Sequence, residues 1–350
     1  MFLEQSEQLR SDPQRAASYA GLRYVSDEDT PGIARLPHGT GFSYRGFDGR
    51  PVDKATVKRI RALAIPPAWT SVWISPFADA HLAATGRDAK GRKQYRYNPE
   101  FLQIRNTAKF GHLVAFAEAL PKIRTAVTEH MAKRGMPREK AIATIISLLE
   151  QTNIRIGSED YAKENGSFGL TTLRNKHVRV AGSELRFLFK GKSGKTWRLS
   201  ISNRRVAKII RTCQELPGQN LFQYEDENGA LQKVTSSDVN DYLRDVSGRD
   251  ITAKDFRTWA GTVLAATALS GLEGPPLKKH TREVIAQVAD QLGNTATICR
   301  KCYVHPEILA AYESGDLKLN IRTADSDCST QLDSIERAVL RFLKSRAGDI

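Results

Sequence analysis

The chain has 350 residues, 40% hydrophobic and 26% charged, a balance that excludes a disordered polypeptide and allows two ordinary domains, each with its own core. Fifty-three Lys and Arg against 39 Asp and Glu leave a net charge of +14 and a pI near 9.7, so a polyanion is the natural partner and its binding is expected to be salt-sensitive. The longest apolar stretch, Ala141 to Leu149, is too short to span a bilayer. The start M-F-L-E-Q-S-E-Q has neither a basic opening nor an apolar run, so a cytoplasmic, nucleoid-associated location is expected.

From the N-terminus to about residue 105 the chain reads as strand-rich. The segment I-A-R-L-P-H-G-T-G-F-S-Y-R-G-F-D-G-R-P (33–51) is broken by glycine or proline every few residues, as short strands and turns are. One helix follows, from about Asp53 to Ala64, stopped by Pro66 and Pro67. T-S-V-W-I-S-P and Q-Y-R-Y then alternate aromatic, β-branched and polar residues. In G-R-K-Q-Y-R-Y (91–97) that alternation puts Gln94 and Arg96 on one face and Tyr95 and Tyr97 on the other, a pattern an ordinary edge strand also shows.

From about Arg105 the texture becomes helical, with Leu113, Phe116 and Leu120, then Ile142, Ile145, Ile146 and Leu149, at spacings of three and four. The change places a boundary near 100–106, giving domains 1–105 and 106–350. Inside the second, Lys176 to Ser200 reads as a small sheet: H-V-R-V, E-L-R-F-L-F-K and T-W-R-L-S-I joined by A-G-S and G-K-S-G-K turns. Helices are expected at about 203–214, 238–246, 253–270, 281–292 and 331–347. The fold class is α+β: a small β-rich N-terminal domain and a larger, mainly helical domain with an embedded antiparallel sheet.

The four cysteines are Cys213, Cys299, Cys302 and Cys328. C-R-K-C has zinc-type spacing but lacks the second pair a structural site needs, so idle thiols in a reducing compartment are the better reading and no metal is expected. G-K-S-G-K-T (191–196) has the end of a phosphate loop, but Phe189 stands where that loop requires glycine, so nucleotide binding is rejected.

Arg186 to Arg211 holds nine Lys or Arg and no Asp or Glu, either a solvated basic face or a track for DNA phosphates; the density of like charge favours the track. Arg257 falls in the first turn of a helix opened by Thr252, with Asp255 as capping partner, and Lys254 shares its face. Such a helix start is a phosphate site. Gly157, two residues after Arg155, allows a close backbone approach to a ligand. Taken singly, each arginine reads as a surface charge or ion pair. Asn294 follows Leu292-Gly293, where one helix ends, and reads as the N-cap of the next. Tyr303 is one of ten tyrosines.

Taken together, I-R-I-G (154–157), F-K-G-K (189–192), K-D-F-R-T (254–258) and L-G-N-T followed by C-Y-V-H-P (292–306) resemble type IB DNA topoisomerases, in particular the compact bacterial and poxvirus-like members. The resemblance runs from about Arg23 to Pro306. It implies a clamp around duplex DNA and a catalytic set of Tyr303, Arg155, Lys192, Arg257 and Asn294. Tyr303 would be the nucleophile, Lys192 the general acid, and the arginines the grip on the scissile phosphate. Lys190 and Lys195 are rivals for the lysine role. Poxviral and eukaryotic members carry histidine where this chain has Asn294; an amide keeps the hydrogen bond but not proton transfer. No general base for the phenol is identifiable, which leaves water. The resemblance further implies DNA contacts at Gln94, Tyr95, Tyr97, Gly157, Tyr161 and Lys254, no nucleotide or other cofactor, no membrane, and a monomer. A tyrosine recombinase is the nearest alternative, disfavoured by Lys254 where recombinases usually place histidine and by the strand-rich N-terminal part. A silent DNA-binding protein on the same fold is the other.

Overall fold

The computed structural model describes residues 8–321 and 330–347, so Cys328 lies outside the described residues. The chain divides between His112 and Leu113 into two compact units. In the first, α1 (Pro13–Tyr19) is capped by Asp12, whose carboxylate accepts the N–H groups of Gln14 and Arg15. A five-stranded antiparallel sheet follows, built from β1 (Ile33–His38), β2 (Gly41–Arg45), β3 (Thr70–Ile74), β4 (Leu82–Arg87) and β5 (Lys93–Tyr97) in the order β2-β1-β3-β4-β5. Helix α2 (Lys54–Ala62), started by Asp53, buries Ile60 against Ile33, Val72, Ile74 and Ala84. β5 is an edge strand, and Tyr95 and Tyr97 stack on its exposed face with ring centres 5.8 Å apart.

Helix α3 (Pro99–Ala132) begins in the first unit and continues past the boundary. Sequence texture changes where this helix starts; the contact boundary lies further along, where its turns change cores. Phe101 packs with Ala16 and Ala17, whereas Leu113, Phe116 and Leu120 enter the large core of the second unit.

That core is organised by α4 (Arg138–Thr152), which buries Ala141 through Ile146 and so packs nearly all round. Asn153, in the left-handed conformation at φ 54°, ends it and returns its N–H to Leu149 O. Around it lie α5 (Glu159–Asn165), a three-stranded sheet β6 (Val178–Ala181), β7 (Glu184–Lys190) and β8 (Thr196–Ser202), and α6 (Arg204–Glu215), capped by Asn203. A short hairpin, β9 (Gln223–Glu225) and β10 (Leu231–Lys233), precedes α7 (Ser236–Ser247), α8 (Ala253–Ser270), α9 (Lys278–Gln291), α10 (Ala296–Cys302), α11 (Pro306–Ser314) and α12 (Ser334–Ala347). The mixed class and the embedded sheet agree with the sequence reading. The short elements α1, α5, α11, β9 and β10 are additions to it, and the one helix read in the first 105 residues becomes α1 and α2 ahead of α3.

Two devices hold the parts of the second unit in register. Trp197 of β8 is wedged between two glycines: a Cβ at Gly191 or at Gly293 would lie 2.6 Å from the indole. The Lys195 ammonium adds an ion pair to Asp290 at 2.9 Å, so the β7–β8 turn is fastened to the end of α9. At the other side, the buried Glu336 carboxylate of α12 accepts both terminal nitrogens of Arg124 from α3, the indole N–H of Trp259 from α8 and the N–H of Asp333. Arg124 also pairs with Glu150 of α4 at 2.6 Å.

Truncating one member of a buried ion pair strands the other charge, so Glu336→Ala is expected to lower unfolding free energy by about 3–5 kcal/mol; chemical denaturation measures it, and a loss under about 1 kcal/mol would contradict the packing of α12. Gly293→Ala meets both a left-handed φ of 61° and the Trp197 ring, for an expected loss of about 1–3 kcal/mol. Adding Trp197→Ala removes the collision, so the double variant should lose less than the sum of the two single changes; strict additivity would show that the ring does not occupy that space.

Candidate active site

A cleft of about 400 Å³ in the second unit is lined by Arg155, Ile156, Gly157, Ser158, Tyr161, Ser167, Phe168, Lys192, Ala253, Lys254, Arg257 and Tyr303. It gathers four of the five residues expected to be catalytic. The fifth, Asn294, does not line the cleft and is joined to it through its hydrogen bond with Arg155.

Arg257 owes its place to the start of α8. The Asp255 carboxylate accepts both the N–H and the hydroxyl of Thr252 at 2.9 Å, fixing the first turn. One turn on, Arg257 is only 3% exposed. It donates to Asn153 O, at the end of α4, and to Leu292 O, at the end of α9, the latter at 2.6 Å. Its Nε is buried with no hydrogen-bond partner among the described residues. Burial first, and the Arg155 guanidinium second, push Arg257 down to about 10. A cation so placed is under-compensated, and an anion in the cleft would relieve it. Lys254 lines the same opening at the N-terminal end of α8.

Arg155 follows the left-handed Asn153 that ends α4. Its Nη2 donates to Asn294 Oδ1 at 2.5 Å and to Gly293 O at 3.3 Å. The loop that carries it is laced to its neighbour by Leu170 N–H to Arg155 O and Thr171 N–H to Ile156 O. Gly157, at φ 98°, meets Gly169 almost back to back: a Cβ on Gly169 would lie 2.5 Å from the Gly157 backbone. The close approach that Gly157 permits is therefore to Gly169, and the residue lines the cleft as well.

Lys192 opens the short turn between β7 and β8 (Lys192–Gly194), the string that ends like a phosphate loop. A strand follows it, not a helix. Its ammonium lies 6.0 Å from the centre of the Tyr161 ring. Of the three candidate lysines, Lys192 lines the cleft, while Lys195 is turned to Asp290 and Lys190 is exposed at the end of β7.

Asn294 is not the N-cap that its position suggests. Thr295 caps α10, accepting the Ile298 N–H at 3.3 Å. The Asn294 N–H returns to Ala289 O and the Gly293 N–H to Asp290 O, so the pair closes α9 in a Schellman turn with Gly293 at φ 61°. That frees the amide side chain, whose oxygen holds Arg155 and whose nitrogen donates to Leu292 O at 3.3 Å.

Tyr303 ends α10, half-buried, with the Arg257 guanidinium carbon 5.1 Å from its ring centre. Arg257 thus faces both the cleft and the phenol. Cys299 is buried, its thiol pushed up to about 11 mainly by burial, and Cys302 is half-buried. Among the described residues, no group of three or more His, Cys, Asp and Glu converges as metal ligands would, and no helix is long and apolar enough to cross a membrane.

In the first unit, Tyr95 and Tyr97 are 46% and 36% exposed on one face of β5, as the alternation predicts. Gln94 donates to Asp88 Oδ2 at 3.0 Å, a carboxylate that Arg92 holds down to about 2. Arg96 turns to Ala64 O. Sequence reading missed Ser158, Ser167 and Phe168 as cleft residues and Trp197 as the anchor of the Lys192 turn. T-W-R-L marks Trp197 as a strand residue, but nothing in the chain ties it to Gly293.

The model of the family described as eukaryotic DNA topoisomerase I, catalytic core, matches residues 98–327, and that of the bacterial DNA topoisomerase IB N-terminal domain matches residues 41–88. DNA topoisomerase 1B of Acanthamoeba polyphaga mimivirus is 33% identical over 295 residues, covering 81% of this chain and 88% of the relative. DNA topoisomerase 1B of vaccinia virus (strain Copenhagen) is 26% identical over 238 residues, covering 65% of this chain and 71% of the relative. The DNA topoisomerase I of monkeypox virus is also 26% identical, over 231 residues. These matches decide against the recombinase alternative: the chain belongs to the type IB DNA topoisomerases.

Proposed function

We propose that the cleft is where this topoisomerase breaks and rejoins one strand of duplex DNA, with Tyr303 as nucleophile. The observation that carries the reading is the convergence of Arg155, Lys192, Arg257 and Tyr303 on one opening, with Nε of the buried Arg257 unpartnered. The phenolic oxygen of Tyr303 attacks the scissile phosphorus and the bond to the 5′-oxygen breaks, leaving a 3′-phosphotyrosyl link. The phenol proton passes to water, and Lys192 delivers a proton to the departing 5′-oxygen. Arg155 and Arg257 donate to the non-bridging oxygens, whose charge rises in the transition state.

Asn294 orients Arg155 through its amide oxygen. Lys254, Gly157 and Tyr161 bound the phosphate path, and Gln94, Tyr95 and Tyr97 present hydrogen-bonding and aromatic surface to DNA. Rotation of the cut end releases supercoils, and the 5′-hydroxyl then reverses the exchange. One phosphoester replaces another, so the cycle is nearly isoenergetic and runs without ATP, and the cationic side chains take the charge-stabilising role divalent ions fill elsewhere. The protein acts as a monomer on nucleoid DNA.

Relaxation of supercoiled plasmid in EDTA without ATP tests the reading. The wild type should relax it and Tyr303→Phe should not; a folded wild type that binds DNA but leaves it supercoiled would contradict it. Arg257→Lys keeps a charge but loses the fork, so the cleavage rate should fall by about 10²–10³-fold; an unchanged rate would remove Arg257 from the site.

A further inference from the structure

We propose that Gly261 and Thr262 are positioning residues for Tyr303: they seat the backbone that carries the phenol on the same helix that carries Arg257. The inference rests on the reading of Tyr303 as nucleophile. Neither residue lines the cleft. Arg257 and Gly261 are four apart on α8 and so lie one above the other on one face. At Gly261 the helix surface is a bare Cα with the chain of the nucleophile lying directly upon it. A Cβ there would come 2.5 Å from Tyr303 O and 3.1 Å from Leu292 Cδ1.

Thr262 supplies the polar half of the seat. It is fully buried, and its hydroxyl donates to Thr258 O at 2.8 Å, with Tyr303 O at 3.4 Å as a second acceptor. The Thr262 hydroxyl oxygen in turn accepts the His305 N–H at 3.1 Å. Val304, between the two tied residues, is also fully buried. Tyr303 is the C-cap of α10, its N–H bonded to Cys299 O at 2.9 Å, and from its carbonyl onward the chain to α11 is irregular. A nucleophile on such a link is placed no better than its backbone is held, and attack in line with the leaving oxygen tolerates little error. Contact with α8 makes the separation of phenol and Arg257 a property of one rigid element.

A helical glycine gives way to alanine with a gain in local propensity, so Gly261→Ala presses on Tyr303 without weakening the helix. Thr262→Val keeps the shape and deletes the hydroxyl, and Thr262→Ser keeps the hydroxyl. The experiment measures the rate of covalent protein–DNA adduct formation on supercoiled plasmid at saturating protein, quenched with detergent. Duplex affinity and thermal unfolding are measured in parallel. Gly261→Ala and Thr262→Val should slow adduct formation by about ten- to a hundredfold with duplex affinity unchanged, and Thr262→Ser should recover most of the rate. Wild-type adduct rates in Gly261→Ala and Thr262→Val would overturn the proposal, as would a loss of DNA affinity in step with the rate, or a Thr262→Ser variant as slow as Thr262→Val. Should Thr262→Val fail to fold, Gly261→Ala decides alone. Absence of any adduct in the wild type, or its persistence in Tyr303→Phe, is a different result and sinks the assignment of the nucleophile instead.

Discussion

The guanidinium of Arg257 is the joint of the second unit. From one side chain on α8 it bonds the carbonyl that closes α4 and the carbonyl that closes α9. Both acceptors are helix C-termini, where unpaired carbonyls and the helix dipole carry partial negative charge. Two helix ends offset part of the cost of burying a cation but leave Nε unpartnered and the charged form less favoured than in water, though still dominant near neutral pH. The fold therefore holds a positive charge at the floor of a cleft in a state that a phosphate would improve. Arg155 leaves the end of α4 just beyond Asn153, and Asn294 leaves the end of α9 just beyond Leu292, so the residues Arg257 grips are chain neighbours of the Arg155–Asn294 pair.

The remaining parts are arranged to keep that geometry fixed. Trp197 and the Lys195–Asp290 pair tie the Lys192 turn to the end of α9. Gly261 and Thr262 tie the tyrosine segment to α8. Glu336 fastens α8 from behind through Trp259, using a helix that lies beyond the 98–327 span matched to the catalytic core. Acidic and aromatic side chains remote from the cleft thus fix the positions of the cations within it.

Much of this was legible in the chain. Thr252 and Asp255 announced the start of α8 and so the helical turn on which Arg257 sits, because capping is a local interaction between residues three apart. The burial of Arg257 was not legible, since a lone arginine reads as a surface charge. Alternation in Q-Y-R-Y put Tyr95 and Tyr97 on one face, since strand period is fixed by the backbone. Leu292-Gly293 announced the end of α9. What followed misled: Asn294 is a good N-cap by type, but the Schellman turn carries the chain one residue further and Thr295 takes the cap. The short elements α1, α5, α11, β9 and β10 span too few residues for periodicity to show. Contacts between Gly157 and Gly169, Gly191 or Gly293 and Trp197, and Gly261 and Tyr303 were invisible because each is set by tertiary packing of a missing side chain. The common location of Arg155, Lys192, Arg257 and Tyr303 came from resemblance to a family; spacing in the chain carries no such information.

The central claim is that one tyrosine, Tyr303, takes up the broken strand. The direct measurement is to quench the protein on supercoiled DNA with denaturant, digest nucleic acid and protein, and identify by mass spectrometry the peptide that carries nucleotide. A 3′-phosphate on the Tyr303 peptide, with a free 5′-hydroxyl on the other end of the break, is the predicted result. Nucleotide on another tyrosine, Tyr161 in the same cleft being the nearest rival, or linkage through a 5′-phosphate, would contradict it.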